Sequence, residues 1–187
     1  MGIPIISNVV NGIKGGVKAT LKGSADTGSV LAKAVKDVAV TTLKGTGELV
    51  VKGLQVPASI VVGAITGASE VGVSIVNSVK GIVNGTIQGA MDSGVSQKDA
   101  VQGSVKQAMA SAKDLGEDVA DVAVEAVKGA VNGVKQVGGD TVSAAKDAIM
   151  AAMDSAKDIG DETFNSVKAA LHSSVDGAKD ILNEIKK

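Results

Sequence analysis

The chain has 187 residues and a formal net charge of −1, with every basic residue a lysine, one aromatic (Phe164), one histidine (His172) and no Trp, Tyr or Cys. The missing cysteines exclude a disulfide framework and thiol chemistry, and the missing arginines exclude bidentate guanidinium recognition of phosphates and bases. Val, Ala and Gly carry the apolar content, so a core made from this chain is built of small side chains.

From the N-terminus, Met1–Ser7 offers no basic region ahead of its apolar residues and no cleavage site, so it does not read as a secretory signal. Ile6 stands where a myristoylation motif after Gly2 requires Ser or Thr. From Ile13 onward the chain counts in elevens. Of the sixteen positions reached by stepping from Ile13 to Ala178, thirteen are apolar, the exceptions being Ser24, Thr46 and Pro57. The register beginning at Lys14 is lysine in nine of sixteen places (Lys14, Lys36, Lys80, Lys113, Lys135, Lys146, Lys157, Lys168 and Lys179), and the next is acidic in ten. Eleven residues make three turns at about 3.67 per turn, close to the α-helical 3.6, so such a repeat keeps one apolar face along a helix.

Two further registers form that face: Val17, Val50, Val61, Val83, Val105, Val127, Ile149 and Leu171 in one, and Leu21, Leu43, Leu54, Ile65, Ile87, Met109, Val131, Met153 and Phe164 in the other. With their neighbours they make a stripe roughly 130° wide. The first of these registers alternates with glycine, at Gly72, Gly94, Gly116, Gly138 and Gly160. Lysine methylenes flank one side of the stripe, and Gly, Ala and Ser flank the other.

In chain order, residues 1–52 carry seven Lys against three acids, 53–91 carry only Glu70 and Lys80, and 92–187 carry eleven Lys against sixteen acids. This gradient suits head-to-tail association or approach of the front to an anionic surface. The uncharged stretch Gly53–Ser69 contains Pro57 and is shorter than the roughly 20 apolar residues of a membrane span. Gly81, Gly85 and Gly89 recur every four residues, and Gly63/Gly67 and Gly129/Gly133 repeat the pair, which stacks small residues for close helix packing. Candidate breaks are Pro57, Gly94-Val95-Ser96 with Ser96 and Asp99 spaced as a capping box, and Gly138-Gly139-Asp140-Thr141. Ser111–Asp118 returns as Ser155–Glu162, a 44-residue echo.

The fold class expected is all-α: one hendecad region over 1–187, a long amphipathic helix, continuous or kinked, assembled with lipid or other copies, with an antiparallel helical bundle as the alternative. Because the eleven-residue phase passes through every candidate break, the continuous form is favoured, about 280 Å long at 1.5 Å per residue. The 24 glycines oppose such a helix by roughly 1 kcal/mol each relative to Ala, so something must cover the stripe.

Catalytic chemistry finds no footing. His172 has no converging ligands or nucleophile, and Glu117-Asp118 and Asp161-Glu162 are adjacent and diverge on a helix. There is no phosphate loop, and without Arg or aromatics nucleic-acid readout has no basis. No enzyme activity, cofactor, metal or small-molecule substrate is expected.

The segments Val127-Lys-Gly-Ala-Val-Asn-Gly-Val-Lys135 and Val79-Lys-Gly-Ile-Val-Asn-Gly85, within a Lys-flanked eleven-residue repeat, resemble the exchangeable apolipoproteins, perilipins and synucleins, with features of eleven-residue late-embryogenesis-abundant proteins. The resemblance implies folding on lipid surfaces or on drying. The function expected is a non-catalytic coat or scaffold whose stripe meets a membrane or lipid-droplet surface from the cytoplasm and whose small flank packs side by side. A protein-only filament or bundle of copies is the second reading. A stress protectant is the third, its ice-binding form prompted by Thr20, Thr42, Thr86, Thr141 and Thr163 sharing one register.

Overall fold

The structure is a computed structural model that describes residues 3–21, 28–45 and 53–185. Those residues form α1 (Ser7–Leu21), α2 (Ser29–Gly45), α3 (Gln55–Glu70), α4 (Ile75–Asp92), α5 (Gln97–Leu115), α6 (Val119–Gln136), α7 (Thr141–Ile159), α8 (Asp161–Ser174) and α9 (Ala178–Ile185). The all-α class is as expected. The continuous or kinked single helix is not what forms; the antiparallel alternative is.

The turns explain why the eleven-residue phase survives chain reversal. Gly72, Gly94, Gly116 and Gly138 have φ of +77°, +97°, +72° and +74°, a region that L side chains avoid and glycine enters freely. They are spaced by 22 residues, two elevens. Two residues after each stands a helix N-cap, again in 22-residue steps. Ser74, Ser96 and Asp118 accept from the backbone N–H of Asn77, Asp99 and Asp121, and Asp140 from that of Ser143. Each cap satisfies an orphan donor of the helix it opens. Turn length is therefore part of the repeat: a helix of 18 or 19 residues in α4 to α7 plus a short turn makes one unit. The 44-residue echo is one helical hairpin.

Of the proposed breaks, the two glycine segments are turns and Ser96 is a true cap. Pro57 lies in the first turn of α3, where the N–H it lacks would have had no intrahelical partner. The pattern fails at Gly160, which is followed at once by α8 with no side-chain cap; α8 and α9 have only 14 and 8 residues.

Each helix packs on its sequence neighbour and on the helix two places along, and among the described residues no helix packs on one three places away. This is an open two-layer stack, with odd-numbered helices in one layer, even-numbered ones in the other, and the apolar stripe between them. Its core is dominated by fully enclosed Ile, Val and Ala, including Ile13, Ile60, Ile82, Ile87, Val105, Ala126 and Ile149. Small side chains suffice because the helices approach closely. The half-buried Phe164 packs at the margin.

Candidate functional site

The stripe residues do not form an outer face. Val17, Leu21, Val61, Ile65, Val83, Ile87, Val105, Met109, Val127, Ile149, Met153 and Leu171 are buried in the chain's own core. Leu43, Leu54, Val131 and Phe164 are half-buried, and Val50 lies outside the described residues. A helix of 3.6 residues per turn that reverses after every 22 presents the same stripe to the opposite layer each time, so the chain covers its own apolar face.

The glycines explain how. A Cβ built on Gly63 would lie 2.6 Å from the Val10 carbonyl oxygen, on Gly67 3.0 Å from that of Lys14, and on Gly81 2.7 Å from that of Gly28. On Gly85 it would collide with the Ala32 oxygen; on Gly89 it would lie 2.8 Å from the Ala39 Cβ. On Gly129 and Gly133 it would stand 2.5 Å and 2.9 Å from the Lys80 and Asn84 oxygens. All seven therefore sit where one helix crosses the helix two before it, within one chain. Gly103 does the same against the Leu54 oxygen at 2.9 Å, and Gly16 meets Val38 across the layers at 2.5 Å. Gly16 forms a four-residue pair with Gly12, whereas Gly103 has no glycine at that spacing; it follows Gly81 by 22, and that spacing would have found it.

The lysines divide between the layers. Lys14 and Lys18 both reach Glu70 at 2.6 Å, joining α1 to α3. Lys36 meets Asp92 at 3.5 Å and Lys146 meets Glu184 at 3.3 Å. Lys80, Lys113, Lys135, Lys157 and Lys179 are exposed and Lys168 half-buried, so the nine do not border one continuous surface. The hydrogen bonds from Lys14, then Lys18, hold the Glu70 carboxyl below its ordinary range against a smaller opposing effect of desolvation. The Ser143 hydroxyl, then its N–H, lowers Asp140 in the same way, with the Val142 N–H adding a smaller part.

Among the described residues, polar bonds between helices are few. Gln88 Nε2, which also donates to Asn84 Oδ1 of its own helix at 2.7 Å, donates to Gln136 Oε1 of α6, and Gln97 both donates to the Asp140 carbonyl (2.9 Å) and accepts its N–H (3.0 Å). The buried hydroxyls of Ser78 and Ser104 donate back to carbonyls of their own helices. Thr86 is enclosed and its hydroxyl has no partner among the described residues. The other four threonines of its register are half-buried, so they share no exposed face.

A groove of about 600 Å³ runs between α2, α4 and α6 past Lys36, Lys80, Asn84 and Glu125. It is a surface trough of mixed charge. Among the described residues no His, Asp and Glu side chains group as metal ligands, and no helix is long and apolar enough to cross a membrane. His172 is exposed on α8.

No protein-family model matches this chain, and no curated protein does. Among solved structures it is similar to the crystal structure of a de novo designed helical repeat protein, DHR7, with a TM-score of 0.54 and 21% identity over 95% of each chain. At that identity the likeness concerns the fold: an array of helices stacked in sequence order.

Proposed function

We propose that the chain is a non-catalytic scaffold that stores its lipid-facing stripe in its own core and opens onto a lipid surface. The observation that carries this is the nature of what holds the layers together: apolar stripe against apolar stripe, with the ion pairs among the described residues lying at the surface. Exposed pairs contribute about 0–1 kcal/mol each, and most of the buried serine hydroxyls bond within their own helix. A lipid surface can replace stripe-to-stripe packing without stranding polar groups, because the helical backbone bonds stay intact when the layers part. Amphipathic helices with flanking lysines then lie in the headgroup region. Membrane or lipid-droplet attachment from the cytoplasm belongs to this reading.

The test uses the absence of native cysteine. A Cβ on Gly12 stands 3.6 Å from that of Thr42, within disulfide range, so Gly12→Cys with Thr42→Cys ties α1 of one layer to α2 of the other. The reduced double variant is expected to float with anionic vesicles while keeping its helicity, and the oxidised form to float several-fold less. Equal flotation of both forms, or none for the wild type, rejects lipid-driven opening. A wild type that never floats leaves a closed scaffold without a lipid role.

A further inference from the structure

We infer that the groove between α2, α4 and α6 binds an extended, acidic peptide segment whose main chain is held by a row of carboxamides. The floor of the groove is the outer edge of α4. That helix sits deep between its neighbours, because Gly85 and Gly89 admit α2 on one side and Gly129 and Gly133 of α6 close on it from the other. Asn77, Lys80, Asn84 and Gln88 stand three or four residues apart on one helical face, and all four line the groove. Gln136 joins them from α6. Gln88 is 6% exposed, and its amide directs both hydrogens onto its neighbours, Asn84 Oδ1 and Gln136 Oε1. The amide groups of Asn84 and Gln136 and the carbonyl of Gln88 have no further partner among the described residues. These donors and this acceptor are therefore fixed in place before a ligand arrives, which lowers the cost of ordering them.

A carboxamide offers two donors and an acceptor on one flat group, the complement of a peptide N–H and C=O. Asn84 and Gln88 lie about 6 Å apart along the axis of α4. An extended chain presents the same edge again after roughly 6.6–6.8 Å. From Asn77 to Gln88 the row spans about 16 Å, the length of about five extended residues. The described lining has no aromatic and no large apolar side chain, so main-chain hydrogen bonds and charge must supply the affinity. Lys36 is already matched by Asp92, and Glu125 by Lys128. That leaves Lys33 and Lys80, both exposed, against Asp37, with no ion pair to any of the three among the described residues. The surplus is cationic, which suits acidic side chains on the bound strand.

The site needs the closed stack and no lipid, so it stands or falls apart from the vesicle experiment. The probe is a fluorescein-labelled oligoglutamate of about ten residues, read by fluorescence polarisation beside a labelled polyacrylate of matched charge, an anion without peptide groups. The wild type is expected to bind the oligoglutamate several-fold more tightly than the polyacrylate. Asn77→Ala with Gln136→Met, both at exposed positions, should weaken oligoglutamate binding about tenfold and leave polyacrylate binding unchanged. Lys80→Met should weaken both and flatten their dependence on salt. Lys157→Met, in the other layer, should alter neither. Circular dichroism and thermal melting should show each variant folded as the wild type; if Gln136→Met disturbs the fold, Asn77→Ala alone carries the test, with a several-fold loss expected. A wild type that does not bind oligoglutamate, equal binding of the two polymers, or full affinity in the carboxamide variant overturns the proposal.

Discussion

Single residues show how position in the stack reverses the meaning of one residue type. Gly85 and Gly15 are both helical glycines, and alanine at either favours an isolated helix by about 1 kcal/mol. At Gly85 the new Cβ would strike the Ala32 carbonyl, and α2 and α4 would have to separate. At Gly15 it enters open space. Gly85→Ala is expected to lower stability by about 2–3 kcal/mol, and Gly15→Ala to raise it by about 0.5–1 kcal/mol, both read by urea unfolding. Glu70 is the second case. Its lowered pKa contributes stability that is present above its unfolded pKa and lost as pH falls through its folded value. Wild type should therefore exceed Glu70→Gln in melting temperature near neutral pH, and the gap should close over that acidic interval. A gap independent of pH would mean that the Lys14 and Lys18 pairs contribute nothing to it.

Elements are delimited by glycine and cap together. Gly138 turns the chain with positive φ, and Asp140 then opens α7 while Gln97 of α5 clasps its backbone on both sides. Asp140→Ala is expected to lower stability by about 1 kcal/mol through the lost cap. It should raise amide exchange in the first turn of α7, the N–H groups of Val142 and Ser143 above all. Unaltered exchange there would show that the Gln97 clasp alone holds the turn. The sequence already marked Gly94 and Gly138 as breaks and Ser96 as a cap. The unbroken count of eleven favours a continuous helix only where connecting loops are free to vary in length. Here the turn, with its cap, fills out the 22-residue unit, so the reversal leaves the phase intact.

At the scale of the whole molecule, stability is a sum of neighbouring contacts, since among the described residues no helix touches one three places along. Removing residues 1–52 deletes α1 and α2 and leaves α3 to α9 with their mutual contacts. That fragment should stay helical and unfold cooperatively, with a urea m-value about a quarter lower, in line with the surface it no longer exposes. Collapse of the fragment to a molten state would mean that α1 and α2 nucleate the stack. The all-α class, the stripe, its two unlike flanks and the glycines of close approach were all determined by the sequence, because helical periodicity and side-chain size are local properties of residues 11 or 22 apart. What covers the stripe was decided only by the tertiary structure. A helix face that suits lipid, another copy or its own chain has one residue pattern in all three cases, and reversal at Gly72, Gly94, Gly116 and Gly138 brings stripe onto stripe within the same chain. The place left open at Gly15 was legible only then, because which helix lies beside α1 is set by the stacking and not by its own residues.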